Sequence, residues 1–148
     1  MRTPQILVLS CMDARIVPAQ VLGIKDGDAL VVRNAGGRAI DGLRSIVVAQ
    51  QRLTTIDIRV LHHTRCGMLG PLATDDKMRG DLIKNPPKPN VSVDSIVQSV
   101  SFLGFDDVKQ SVLDDVEFLK QHPLVFANSE ISGWVYDIDA GGLAKRVV

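Results

Sequence analysis

The chain has little cysteine, no net charge and no long apolar run, and each shortage excludes a class of protein. Its 148 residues carry 17 basic and 17 acidic side chains, so the formal net charge is zero, and the basic residues are scattered. This balance excludes the basic surface with which proteins bind nucleic acid or anionic membranes. No apolar stretch approaches the length that spans a bilayer.

Only two cysteines are present, so the chain can form one disulfide at most. The first residues run directly into an apolar, strand-like segment, which leaves no room for a signal peptide. We therefore expect a cytoplasmic protein. In a reducing compartment, paired cysteines more often bind metal or take part in chemistry than form disulfides.

Length and composition indicate a single globular domain over residues 1–148. Three short apolar runs, at 6–9, 29–32 and 56–61, are typical of strands buried on both faces of a sheet. Between the second and third runs, apolar residues at three- and four-residue steps predict an amphipathic helix over 41–53. Strand, helix and strand with short connections imply a right-handed βαβ unit and a parallel sheet.

The second half of the chain continues this α/β pattern beyond an exposed, proline-rich loop at residues 85–90. Asp106 or Asp107 can cap the longer of two predicted helices. We expect four parallel strands and a C-terminal antiparallel strand or hairpin, flanked by helices. The remaining predicted elements are helices over 94–103 and 106–121, a fourth strand over 124–126, and a hairpin of 131–138 with 143–148.

Both cysteines directly follow predicted strands. Cys11 follows the first run, and His63 and Cys66 follow the third. Ligands of open α/β sheets gather beyond the carboxyl ends of the strands, and we expect these two strands to be neighbours. Two thiolates and an imidazole make a three-ligand zinc set with a fourth position left for water. Structural zinc sites normally have four protein ligands, whereas catalytic sites keep one position open. A set of three ligands therefore indicates an enzyme.

Other interpretations of these residues remain. Cys11 alone is equally typical of a buried structural cysteine. A thiolate nucleophile of the tyrosine-phosphatase kind would need an arginine six positions later, where this chain has Val17. His62 competes with His63 as the ligand, but it points the opposite way in an extended segment, so we favour His63.

Asp13 and Arg15 either form an exposed ion pair that contributes little to stability or take part in catalysis. Beside a zinc site, the Asp13 carboxylate can accept a proton from bound water while Arg15 keeps it ionised. Alternatively, Asp13 swings onto the metal as a fourth ligand in a closed state.

A glycine-containing segment, RNAGG at residues 33–37, follows the second strand. Its glycines either supply the positive φ of a strand-to-helix turn or bring backbone amides to the substrate pocket. On the second interpretation, Gly36 and Gly37, together with Gly67, line the pocket.

Together these segments resemble the β-class carbonic anhydrases, and the resemblance covers most of the chain. It implies zinc held by Cys11, His63 and Cys66, with Asp13 and Arg15 as a catalytic dyad. It also implies a homodimer or homotetramer with active sites near the subunit interface. The matching segments are CMDAR at 11–15, RNAGG at 33–37, RS at 44–45, HHTRCGM at 62–68 and GWVYD at 133–137.

The function that this resemblance implies is the reversible hydration of carbon dioxide to bicarbonate, by attack of zinc-bound hydroxide on the central carbon. Short microbial members of the family include carbonyl sulfide hydrolases, which would release hydrogen sulfide and carbon dioxide from the same site. Two further possibilities are a zinc-stabilised interaction module without activity and a metal-free thiol enzyme.

Overall fold

The computed structural model describes residues 5–148 and contains one five-stranded sheet with the strand order β2-β1-β3-β4-β5. The first four strands in this order are mutually parallel, and β5 is antiparallel to β4. The predicted fold class is confirmed. The strands are β1 (Ile6–Cys11), β2 (Ala29–Asn34), β3 (Asp57–His63), β4 (Glu130–Tyr136) and β5 (Lys145–Arg146).

Helices flank the sheet, and the two longest confirm the predicted amphipathic segments. Asp107 is the N-cap of the last helix, where its side chain accepts a hydrogen bond from the Gln110 N–H. Within the described residues, no helix has both the length and the apolarity that crossing a membrane requires. The helices are α1 (Pro18–Val21), α2 (Ala39–Leu53), α3 (Asp75–Lys84), α4 (Asp94–Gln98) and α5 (Val108–Gln121), with 3₁₀ turns at Ala35–Gly37 and Pro71–Ala73.

The sheet buries side chains on both faces. On one face, alternate residues of the central strands, such as Leu9 and Val60, pack under α2 and α5. On the other face, Val8 and Leu61 pack against Ile16 and the α1 region in a smaller cluster. The prediction that β1 and β3 are buried on both faces is therefore correct.

The predicted helix over 94–103 is too long, because α4 ends at Gln98. The backbone N–H of Phe102 donates to the Asp75 carboxylate instead of continuing a helix. Leu103 then adopts a left-handed conformation with φ of 60°, which ends any regular helix.

The prediction of a strand over 124–126 is wrong. This segment is a turn, in which the Val125 N–H donates to the carbonyl of His122 and the Phe126 N–H donates to the Gln50 side chain. The fourth parallel strand is β4, which the sequence pattern had assigned to the first arm of a terminal hairpin. β4 pairs in parallel with β3 and also carries the short antiparallel β5.

The run at 29–32 forms β2 as predicted, but it is not buried on both faces. β2 is the edge strand of the sheet, and Val31 remains 43% exposed. A continuous apolar run therefore identified the strand without identifying its position in the sheet.

We expect Gly133→Ala to lower the free energy of unfolding by about 1–3 kcal/mol, because a larger side chain overpacks this site. Gly133 lies on β4 under α5, where an added Cβ would overlap Val112 and lie 2.8 Å from Val148 Cγ1. Urea unfolding measures the change. Gly80→Ala is the matched control, since Gly80 faces open space in α3 and the substitution should stabilise the helix by up to about 1 kcal/mol. Equal effects at both positions would contradict the packing argument.

Candidate metal centre

Three buried donor groups meet at the carboxyl ends of β1 and β3. Cys11 ends β1, His63 ends the adjacent β3, and Cys66 lies in the turn that follows. One ligand atom from each residue lies within 4.8 Å of the other two, and this group can hold a metal ion. The parallel pairing of neighbouring strands thus brings together residues that are distant in the sequence.

The spacing of the donors fits a tetrahedral metal. Cys11 Sγ and Cys66 Sγ lie 3.8 Å apart, and both cysteines are free. Two thiolates at zinc–sulfur distances of about 2.3 Å in a tetrahedral arrangement would lie about 3.8 Å apart. A disulfide needs about 2.05 Å.

His63 has a nitrogen atom available for a metal. Its Nδ1–H donates to the carbonyl of Thr64 at 2.8 Å, which leaves Nε2 as the atom with a free lone pair. This Nε2 is buried and has no hydrogen-bond partner within residues 5–148. Buried polar atoms without partners are rare in folded proteins, and a bound cation would satisfy this one.

The two thiols differ in acidity. The hydrogen bond from Cys66 lowers the pKa of Cys11 to about 4, with smaller contributions from the backbone N–H groups of Asp13 and Gly36. The same thiolate raises the pKa of Cys66, because a second negative charge beside the first is unfavourable. A divalent cation between the two sulfurs would remove that repulsion.

His62 is held away from this group. Its Nδ1 hydrogen-bonds with the Ser111 hydroxyl at 2.7 Å, and its Nε2–H donates to the Gly37 carbonyl at 3.0 Å. Nε2 also lies 3.4 Å from the Asp115 carboxylate. Of the two histidines that the sequence offers, the structure therefore brings His63 to the cysteines.

Asp13 and Arg15 form a bidentate pair at the mouth of the site. Arg15 Nε donates to Asp13 Oδ1 at 2.9 Å, and Arg15 Nη2 donates to Asp13 Oδ2 at 2.6 Å. These hydrogen bonds hold the pKa of Asp13 well below its usual value, so the carboxylate is ionised. Asp13 Oδ2 lies 3.9 Å from His63 Nε2, which places the carboxylate beside the donor group.

Two of the three expected pocket glycines line a small cavity in front of the donors. The cavity has a volume of about 240 Å³. Gly36 and Gly67 lie on its wall, while Gly37 lies behind it, where an added Cβ would be 2.9 Å from the Cys11 nitrogen. The lining residues are Cys11, Met12, Asp13, Ala35, Gly36, Cys66, Gly67 and Met68.

The structure adds two arginines and a carboxylate that the sequence analysis did not assign. Arg33 donates to the backbone carbonyls of Cys11 and Asp13 at 2.9 and 2.6 Å. Arg38 forms a bidentate pair with Asp115. Burial raises the pKa of Asp115, but hydrogen bonds with His62 and Arg38 outweigh burial and leave it below its usual value. The sequence did contain one signal for Asp115: it is an aspartate on the apolar face of the predicted helix over 106–121.

Comparisons with known proteins agree with this geometry. A family model described as carbonic anhydrase matches residues 6–143. Beta-carbonic anhydrase 1 of Mycobacterium tuberculosis is 36% identical over 139 residues, which is 93% of this chain and 79% of that protein. A carbon disulfide hydrolase of Acidithiobacillus thiooxidans is 30% identical over 148 aligned positions, covering 92% and 74% of the two chains. The structure of a carbonic anhydrase from Glaciozyma antarctica superimposes with a TM-score of 0.88 at 38% identity, covering 99% of this chain and 83% of that chain.

The mostly parallel sheet with a buried Cys-His-Cys group at its carboxyl edge places the chain among α/β enzymes with a donor group that can hold a metal ion. Within that class, the chain belongs to the β-carbonic anhydrase family, whose members similar to it include both carbonic anhydrases and carbon disulfide hydrolases.

We expect His63→Ala to abolish the binding of one divalent metal ion per chain, because it removes the buried Nε2 that has no hydrogen-bond partner within residues 5–148. His62→Ala is the matched variant, and we expect it to retain the metal while losing thermal stability, since Ser111 and Gly37 already occupy both ring nitrogens of His62. Elemental analysis of the purified variants gives the metal content. Metal retained by His63→Ala and lost by His62→Ala would reverse the assignment.

Proposed function

We propose that this chain is a zinc enzyme that catalyses the reversible hydration of carbon dioxide to bicarbonate. The observation that carries the proposal is an ionised carboxylate, Asp13, beside a three-donor group in a small apolar pocket. Membership of the β-carbonic anhydrase family supports the same function.

Zinc suits the donors better than other common metals. Cys11, His63 and Cys66 would hold the ion, since two thiolates and one imidazole form a ligand set that zinc favours. A fourth protein ligand is not required, and catalytic zinc sites keep that position for an exchangeable group. Zinc held in this way would supply a Lewis acid that makes water acidic enough to react near neutral pH.

We propose that Asp13 orients the attacking oxygen by binding its proton in a hydrogen bond. Its carboxylate accepts a hydrogen bond from the attacking oxygen and orients that oxygen's free electron pair towards the substrate carbon. Arg15 donates two hydrogen bonds to Asp13 Oδ1, from its backbone N–H and from Nε, and one to Oδ2 from Nη2, which keeps the carboxylate charged and fixes its plane. The alternative role, Asp13 as a fourth metal ligand in a closed state, would require this pairing to break.

The pocket fits a small, uncharged and linear substrate. Ala35, Gly36, Gly67 and Met68 present carbon, thioether sulfur and backbone to the cavity, so a substrate without hydrogen-bonding groups loses little on leaving water. Carbon dioxide, carbonyl sulfide and carbon disulfide all meet this description. The higher identity to a carbonic anhydrase than to a carbon disulfide hydrolase favours carbon dioxide, and carbonyl sulfide is the second candidate.

An inactive, zinc-stabilised interaction module is the less favoured alternative. Such a module needs the three metal donors but has no use for a carboxylate at the mouth of the site. The bidentate Asp13–Arg15 pair therefore supports catalysis.

We infer that the protein acts as a homodimer or homotetramer in a reducing cytoplasm. Val31 and Val48 are 43% and 47% exposed beside a groove between β2 and α2, and a second copy would remove this apolar surface from water. The two free thiols of the donor group require reducing conditions to remain metal ligands.

We expect Asp13→Ala to lower kcat/KM for carbon dioxide hydration about 100-fold, because the attacking oxygen loses the group that orients it towards the substrate carbon. The variant should remain folded and keep its zinc. Stopped-flow hydration assays and elemental analysis measure the two properties. Asp57→Ala is the matched control: Asp57 pairs with Arg59 at the same spacing, at the amino end of β3. Unchanged activity of Asp13→Ala with zinc bound would contradict the proposed role.

We expect carbon dioxide to be turned over faster than carbonyl sulfide and carbon disulfide by the same zinc-quantified preparation. Parallel assays of bicarbonate formation and sulfide release make the comparison. Rapid sulfide release with carbon dioxide hydration near background would replace the first candidate substrate with one of the others.

A further inference from the structure

We propose that Asp115 and Arg38 are positioning residues for the metal donors, acting through the turn Ala35–Gly37. This inference rests on the metal site of the proposed function. Neither side chain lines the pocket. Neither residue belongs to a segment that carried the sequence resemblance, although Arg38 directly follows the RNAGG segment at 33–37.

Asp115 ties α5 to the beginning of α2. Its side chain is 6% exposed and accepts hydrogen bonds from Arg38 Nε and Nη2 at 3.0 and 2.9 Å. It also accepts one from the backbone N–H of Ala39 at 3.0 Å. Arg38 Nη1 donates to the carbonyl of Leu103, so the guanidinium has partners on two sides.

The turn between β2 and α2 is held at both ends. Arg38 follows the turn and is fixed by Asp115. Asn34 precedes it and closes it: Asn34 Nδ2 donates to the Arg38 carbonyl at 2.9 Å, and Asn34 Oδ1 accepts from the Arg38 N–H at 2.7 Å. The position of the intervening glycines is therefore set by groups on α5 and β2.

This turn contacts Cys11 directly. The Gly36 N–H approaches the Cys11 thiol and is one of the groups that stabilise its thiolate. Gly37 packs so closely that a Cβ there would lie 2.9 Å from the Cys11 nitrogen and 3.1 Å from His62 Cδ2. Movement of the turn would thus change both the hydrogen bonding of the sulfur and the backbone that carries it.

The same carboxylate also reaches β3. His62 Nε2–H donates to the Gly37 carbonyl at 3.0 Å and lies 3.4 Å from Asp115 Oδ2. His62 directly precedes His63 in the strand. Both donor-bearing strands are therefore positioned relative to one buried carboxylate.

A role in placement explains why a charged pair lies at this position. Buried ion pairs often stabilise a fold no more than apolar residues of similar volume, because desolvation offsets the attraction. Bidentate pairing with additional backbone hydrogen bonds instead restricts orientation. Groups that orient metal ligands typically change metal affinity about 10–100-fold when they are removed.

The test compares the zinc protein and its cobalt-substituted form in wild type and Asp115→Asn. Asparagine keeps the shape and an acceptor oxygen but removes the charge that holds Arg38. We expect zinc release to a chelator to be about tenfold faster, and we expect the thiolate-to-cobalt absorption band to shift. The band reports the sulfur–metal geometry, which a uniform loss of stability would not move.

Asp75→Asn is the matched control. Asp75 likewise has an arginine partner, Arg79 at 2.9 Å, and a backbone partner, the Phe102 N–H at 2.8 Å, although its ion pair is more exposed and is not bidentate. We expect its cobalt band and zinc release to equal those of wild type, even if its melting temperature falls.

Arg38→Lys provides a second variant if Asp115→Asn does not fold, since it keeps the charge and loses the bidentate geometry. A spectrum and release rate equal to wild type in the folded variants would overturn the inference. Absence of a thiolate-to-cobalt band in wild type would instead overturn the proposed metal site, and this inference with it.

Discussion

The parallel pairing of β1 with β3 is the constraint on which both the core and the Cys-His-Cys donor group depend. The register sets Leu9 beside Val60, where both are buried under α2 and α5. Because side chains alternate across a strand, a slip of one residue would turn these leucine and valine side chains to the other face. The same register determines where Cys11 and His63 leave the sheet. Burial of apolar area therefore fixes the separation of the donor groups.

The buried donors in turn depend on polar groups that surround them. The Thr64 carbonyl accepts a hydrogen bond from His63 Nδ1–H, and backbone N–H groups stabilise the Cys11 thiolate. His63 Nε2 remains unsatisfied among the described residues, and an unpaired buried polar group costs about 1–3 kcal/mol. Metal binding would relieve this cost, so the stability of the fold and the occupancy of the site are coupled.

Sequence patterns predicted the fold wherever burial imposed a clear period. The strands β1 and β3 and the helices α2 and α5 follow from apolar runs or stripes. α3 was not predicted because it buries none of its residues and has no apolar stripe to detect. The segment 124–126 was mistaken for a strand because three apolar residues in a turn look like a short run. The exposure of β2 was missed because the position of a strand in a sheet depends on its neighbours.

The sequence by itself determined the chemistry of the site: which donors exist, that His63 and Cys66 share a turn, and that Asp13 and Arg15 follow Cys11. These are properties of residue type and local spacing, which the chain carries in any conformation. Only the tertiary structure decided that His62 bonds away from the donors and that Asp115, on a distant helix, contacts the turn beside Cys11. Such contacts arise when α5 packs on the sheet, and no local pattern encodes a distance between separate elements.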